Sequence, residues 1–270
     1  MTATATERLG ERTPLRPPKP APRWAMWAGV GVAAIISVYC LWAIEFTLRP
    51  LVTDLTNGQE VLRQFFDPNW AFAWRVRDQW LVTVEIAVIA SLIGCAFALV
   101  LALMASRVTA PTALYRVMKL VLAVQRSLPD LAWVLLFVTV VSTGPLAGIL
   151  ALIMFNIGVA AKLTAESIDA VDPGPVEAAQ AVGANALQRA RVAVVPQVMP
   201  SFVSYSFYVF ELNIRASLVI GMGGGGGIGE VIRVQLASFS YANISAVVAV
   251  LIVVVFALDQ LSRTIRRRLI

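Results

Sequence analysis

Apolar residues in this chain fall in long blocks separated by short polar stretches, rather than at strict helical or alternating spacing. The blocks are Trp24–Ile44, Trp80–Ala105, Leu120–Val141, Leu146–Ala165, Gln197–Ile220 and a sixth anchored by Ala246–Leu261 that starts a few residues earlier. About 20 apolar residues in a helix cross the ~30 Å hydrocarbon layer. A helix also satisfies its own backbone polar groups where no water can. The pattern therefore predicts an all-α membrane protein with six transmembrane helices. Pro129 predicts a kink in the third, because proline removes a backbone donor and crowds the preceding turn. Gly144-Pro145 predicts the turn between the third and fourth.

The polar stretches give the chain its orientation. Residues 1–23 hold Arg8, Arg12, Arg16, Lys19 and Arg23 among five prolines, a composition that cannot bury a core and predicts a flexible basic tail. Residues 45–79 balance four arginines with five acids and carry several aromatics. They read as one or two surface-lying amphipathic helices, or as part of a dock for an outside partner. Ser106–Lys119 is basic, and Arg263, Arg266, Arg267 and Arg268 close the chain over residues 263–270. Positive charge collects on the cytoplasmic side of membrane proteins. Six spans with both termini cytoplasmic satisfy that rule and place residues 172–200 inside as well. No cleavable signal peptide is evident.

Composition excludes several functions. With 59% hydrophobic and 14% charged residues, the chain falls outside the range of ordinary soluble domains. The net charge of +6 sits at the ends of apolar blocks and does not form a nucleic-acid face. There is no histidine, which removes histidine-based metal sites and triads, and no metal is expected. Cys40 and Cys95 lie inside apolar blocks and read as packing residues. A membrane-embedded enzyme would need a catalytic cluster at the interface, and the acids are mostly matched with bases.

The polar stretch Asp172–Pro200 is built as a helix. Asp172 can cap it, Pro173 suits its first position, Glu177 falls near its start, and Arg189 lies towards its far end. Gly183 interrupts it, where close backbone approach is one explanation. Glu177, Ala178, Ala179 and Gly183, followed by an apolar run to Val195-Pro196, resemble the EAA loop of type I ABC importer permeases. The resemblance implies a short cytoplasmic coupling helix seated in a separate ATPase subunit. It covers the motif's main positions and is silent about substrate.

Charges inside apolar blocks need a reason, since one at bilayer depth costs about 3 kcal/mol on insertion scales. Arg126 with Asp130, Lys162 with Glu166, and Glu211 with Arg215 stand four residues apart, the spacing that puts two side chains on one helix face. Each pair either neutralises itself for insertion or serves the transport path. The surrounding text YSFYVFELNIRASLVIGMGGGGGIGE, with RSLPDLAW, GVAAKLTAESIDAV and VVPQVMPSFVSY, resembles the phosphonate-type permeases. Glu211, Asn213, Ile214 and Arg215 carry that likeness chiefly; methionine permeases of the same class have a similar glycine run but lack the Glu-Leu-Asn-Ile-Arg arrangement.

The resemblance implies a permease core over 80–262, working as two copies with two cytoplasmic ATPase subunits and an extracytoplasmic binding protein. ATP and magnesium would be held by the ATPase and by nothing in this chain. The implied cargo is phosphonate, with phosphite, phosphate or another small solute such as methionine as alternatives. Glu211, Asn213, Arg215 and the glycines Gly223, Gly224, Gly225, Gly226, Gly227 and Gly229 are the expected pathway or gate. That glycine run lacks the Lys-Ser/Thr ending of a phosphate-binding loop. It reads as a tight bend for close helix approach, or as a re-entrant turn at the outer mouth.

Overall fold

The computed structural model describes residues 24–49, 53 and 55–269, with the side chains of 25, 55–57 and 265–269 left out. The basic tail expected over 1–23 and the side chains of Arg266, Arg267 and Arg268 lie outside the described residues. The chain divides into two units, residues 1–58 and 59–270. In the first, helix α1 (Trp24–Ala43) is apolar all round and exposed along almost its whole length. Its length and apolarity suffice to cross a membrane.

The second unit is all-helical among the described residues. Amphipathic α2 (Leu55–Phe66) leads into short α3 (Trp70–Arg75), capped by the Asn69 side chain. Then follow α4 (Arg77–Met104), α5 (Thr112–Ser127), α6 (Asp130–Val141), α7 (Pro145–Asp169), α8 (Pro173–Ala181) and α9 (Ala186–Arg189). Helices α10 (Val195–Ile220), α11 (Ile228–Ala237) and α12 (Tyr241–Leu269) complete it. Two π-helical segments, Ala190–Val194 and Gly221–Gly225, flank α10.

Helices α4 and α7 form the centre. Ala87, Ala90, Gly94, Ala98 and Ala102 recur on one face of α4, and Ala147, Gly148, Ala151, Ala160, Ala161 and Ala165 supply α7; all are buried. Small residues let two backbones approach closely, which is how helices associate where no hydrophobic force separates them from lipid. At Gly94 any Cβ would stand 2.6 Å from the Asn156 Cβ. The fully buried Asn156 amide donates to the Ala90 carbonyl at 2.8 Å. At one end Ser106 donates its hydroxyl to Asp169 at 2.6 Å. At the other, Gly148 lies against Gly225, and the Ile228 amide donates to Thr83 at 2.8 Å. Both helices therefore start at the glycine-run end and finish at the Asp169 end, side by side and parallel.

That parallel arrangement decides how α5 and α6 count. The two helices are bent by 87° at Leu128-Pro129. Since α4 and α7 end on the same side, α5 and α6 together must carry the chain back across, as one broken span. With it, six crossings result; among the described residues five single helices are long and apolar enough alone. The expected kink at Pro129 is a full break. It also corrects the reading of Arg126 and Asp130 as one-face partners: they belong to different helices, and no salt bridge joins them. A second correction concerns the start of the third block, set at Leu120: its helix begins at Thr112, so Arg116 and Lys119 already lie on α5.

If the small-residue seam holds the fold, then Gly94→Leu, which forces α4 from α7, should cost about 1–3 kcal/mol as an overpacking change. Asn156→Ala should cost less, about 0.6 kcal/mol, the average for a membrane hydrogen bond. Thermal unfolding of the two variants in detergent tests the order. Equal stability of Gly94→Leu and the parent would refute the seam as the organising contact.

Candidate functional site

The polar stretch after α7 folds as two short helices rather than one. The Asp172 carboxylate accepts from the Gly174 amide at 2.9 Å, Pro173 opens α8, and the helix stops at Ala181. Glu177 therefore falls in the second turn, beyond the reach of the first-turn dipole effect expected of it. Gly183 adopts φ +79° with nothing within 4 Å of where a Cβ would stand. Its glycine serves the left-handed turn that ends α8, and nothing within the chain crowds it. Asn185 then caps α9 in a reciprocal capping box with Gln188. Gln197 accepts from the Asp172 amide at 3.0 Å and so ties the stretch to the start of α10.

The surface of this stretch is unusual for a loop. Glu177 and Ala178 are exposed and Ala179 is half-buried. Val182, Leu187 and Val192 expose 84%, 78% and 71% of their surface. Arg189 sits beside them, its Nε screened from solvent without a hydrogen-bond partner in the structure. A polar helix pair with three projecting apolar side chains is a surface suited to being covered.

On α10, Glu211 is buried and forms an ion pair with Arg215 one turn later, whose side chain is half exposed. Asn213 points elsewhere. It is fully buried and donates to the Ser91 hydroxyl at 2.7 Å, which itself donates to the Ala87 carbonyl. Asn213 thus ties α10 to α4, while Arg215 reaches the surface.

The glycine run lies at the far end of the α4–α7 seam from Asp172. Gly224, Gly226 and Gly227 take φ of +102°, +77° and +69°, backbone that other residues rarely adopt. Gly221 folds back on Gly229, with 2.7 Å between a Gly221 Cβ and the Gly229 Cα, and Gly223 meets Val134 of α6. The Gly144 amide donates to the Gly224 carbonyl at 2.8 Å. The turn encloses one wall of a cavity of about 490 Å³ that also touches Thr143, Met222, Glu230 and Arg233. Arg233 bonds Glu230 and holds its carboxyl below the ordinary range. Helix α11 follows the run, an element the sequence pattern did not reveal.

Lys162 and Glu166 do pair, at 3.6 Å, both about half exposed. They border a second cavity, of about 210 Å³, with Arg126 and Lys119. Lys119 was absent from the sequence-derived candidates because the third apolar block was read as starting one residue after it, at Leu120. Its spacing to Leu122, Ala123 and Arg126, one helix face, could have found it. Asn156 and Thr83 were likewise missed, although polar residues inside apolar blocks are a usable signal. No group of three or more metal-ligating side chains occurs among the described residues.

Comparison with known proteins agrees with this architecture. Residues 94–270 match the family model described as "Binding-protein-dependent transport system inner membrane component". The chain is 37% identical to the "Phosphate-import permease protein PhnE" of Mycolicibacterium smegmatis over 90% of its own length and 46% of that protein's. It thus spans less than half of that relative. It is 39% identical to the "Phosphite transport system permease protein PtxC" of Stutzerimonas stutzeri over 89% of its own length and 90% of that protein's. Among solved structures, an inward-facing MetNI methionine ABC transporter chain superposes with a TM-score of 0.64 at 22% identity, covering 73% of this chain and 97% of that one. This likeness establishes the fold, a type I ABC importer permease. The chain is therefore a multi-pass inner-membrane permease component and not an enzyme, and it belongs to the family of binding-protein-dependent transport system inner membrane components.

Proposed function

We propose that this chain is the permease of an ATP-driven importer for a phosphorus oxyanion, the class that includes phosphate, phosphite and phosphonates. The observation that carries this reading is identity of 37% and 39% to relatives named for phosphate import and phosphite transport, across about nine-tenths of this chain. Two copies form the pathway, two cytoplasmic ATPases drive it, and an extracytoplasmic binding protein delivers the cargo. ATP and magnesium bind the ATPases. Both termini face the cytoplasm, in keeping with Arg107, Arg116, Arg189 and Arg191 gathered around the Asp169–Asp172 end.

In this mechanism α8 and α9 are gripped by the ATPase, and the apolar trio Val182, Leu187 and Val192 supplies its contact. ATP binding biases two packings of the permease that differ by a few kcal/mol, and access alternates between the two sides. Arg215, tethered by Glu211, serves the pathway or its gate, and the bend at Gly223–Gly229 shapes the outer mouth.

Uptake into proteoliposomes holding the full transporter tests the substrate class. Inorganic phosphate, phosphite and methylphosphonate form the panel, with methionine as the outsider. At least one phosphorus oxyanion should enter in an ATP-dependent, saturable way; methionine uptake alone would overturn the assignment. Leu187→Asp combined with Val182→Asp should leave membrane insertion intact, abolish co-purification of the ATPase and cut uptake at least tenfold. Retention of the ATPase at parental stoichiometry would contradict the coupling assignment. Arg215→Ala should lower uptake several-fold while the ATPase remains bound, and unchanged uptake at equal expression would remove Arg215 from the pathway.

A further inference from the structure

The sequence presents Arg126 and Lys162 as members of two self-neutralising pairs, and the structure regroups them. Pro129 ends α5 before Asp130, so Arg126 has no ion pair among the described residues. It faces α7 instead. A Cβ at Gly158 would stand 2.8 Å from the Arg126 Cγ, so the arginine stem lies against bare α7 backbone. Gln125, beside it, donates to the Met154 carbonyl and fixes α5 on α7 at this level.

Depth and spacing follow from that contact. Gly158 is near the midpoint of the 25-residue α7. It is about 17 Å from the Asp169 end at 1.5 Å rise per residue. Arg126 is therefore placed near mid-membrane. Lys162, Ala165 and Glu166 share the Gly158 face of α7, and Lys119, Leu122, Ala123 and Arg126 share one face of α5, both by the helical three-and-four spacing. The two faces meet around a cavity of about 210 Å³. At roughly 30 Å³ per water, it has room for a tetrahedral anion with part of its hydration shell. Its ionisable lining is Lys119, Arg126, Lys162 and Glu166, three cations against one carboxylate. Glu166 pairs with Lys162, and Lys119 lies 4.9 Å from the Tyr115 ring centroid. An excess of positive charge remains.

Arg126, Lys119 and Lys162 are all exposed in the single chain. A cation at the depth of Arg126 cannot face hydrocarbon without heavy cost, so the face that carries it opens onto water or onto a second permease. We propose that Lys119, Arg126 and Lys162 form an anion-transit site at the broken span, and that the transported oxyanion passes over it. The site rests on the oxyanion reading above and goes beyond it by naming the residues. Arg126 offers bidentate hydrogen bonds to an oxyanion, and the two lysines add point charges. Glu166 keeps the site weak enough to release what it receives, as a transit site requires.

Two measurements on the assembled transporter test this. In proteoliposomes, Arg126→Gln should cut uptake of phosphate, phosphite or methylphosphonate at least tenfold, with basal ATPase activity and ATPase co-purification unchanged. Arg126→Lys should recover a large part. Parental uptake by Lys119→Gln/Arg126→Gln would overturn the site and leave the importer reading standing. The second measurement needs no substrate. With Cys40→Ser and Cys95→Ser in place, Arg126→Cys should react several-fold faster with a negatively charged water-soluble thiol reagent than with a positively charged one. Adding Lys119→Gln and Lys162→Gln should erase that preference. No reaction with either reagent, or the opposite preference, would overturn the site. The preference persisting in a transporter that imports none of the three oxyanions would sustain an anion-selective cavity and sink the substrate reading alone.

Discussion

Close approach of α4 and α7 is the constraint on which the remaining helices depend. Neither helix can gain from hiding apolar surface, because lipid is as apolar as a leucine side chain. Dispersion at short range and a few internal hydrogen bonds must hold them instead. Hence the face of α4 is alanine and glycine from Ala87 to Ala102, and α7 answers with alanine and glycine. The seam is pinned at two levels by polar groups with assigned partners, Asn156 to Ala90 and Ser106 to Asp169, while Thr83 accepts from Ile228 and ties α4 to α11. Asn213 through Ser91 attaches α10 to the same unit.

This seam also dictates where charge can go. A face made of alanines has no room for an arginine, and lipid will not accept one. The cations beside the broken α5–α6 span and Arg215 of α10 are accordingly exposed rather than packed into the seam. Glu211 is the exception among these charges, buried rather than exposed. Its ion pair with Arg215 and its further interactions within the chain explain how it is tolerated there. Gly158 connects the two themes, because the same absence of a side chain that allows close packing lets the Arg126 stem lie on α7.

Much of this was legible in the sequence. Block length gave the crossings, because length and apolarity suffice when every backbone group must be bonded within its own helix. Asp172-Pro173 gave the start of α8, because a cap is a local interaction. What the sequence did not disclose came from geometry between elements. Arg126 and Asp130 have perfect spacing for a pair, but spacing counts only along a continuous helix, and Pro129 breaks this one. Gly183 and Gly158 look alike in a sequence; one takes a left-handed turn in open space, and the other faces an arginine. Lys119 was missed because the apolar block starts at Leu120, while the amphipathic helix that carries it starts at Thr112. The short α11 was hidden behind the glycines that precede it.

The seam finally constrains how the two ends of the molecule can communicate. Asp172 and the short helices α8 and α9 sit at one end of α4 and α7, and the glycine turn sits at the other. Parallel helices in backbone-close contact cannot slide past one another without opening gaps that nothing fills, so they transmit displacement as a single body. Compliance has to reside elsewhere. The chain offers two such places beside the seam: the 87° break at Pro129, and the π-helical turns that bracket α10 at Ala190–Val194 and Gly221–Gly225. Irregular turns of this kind absorb changes of backbone angle that a regular helix resists. From the α8 end, the α4–α7 pair leads to the place where α6 and the glycine turn meet, the Val134–Gly223 contact. The break at Pro129 and the charged Arg126 lie three residues apart on the broken span, so the irregular backbone and the exposed charge share one place in the fold.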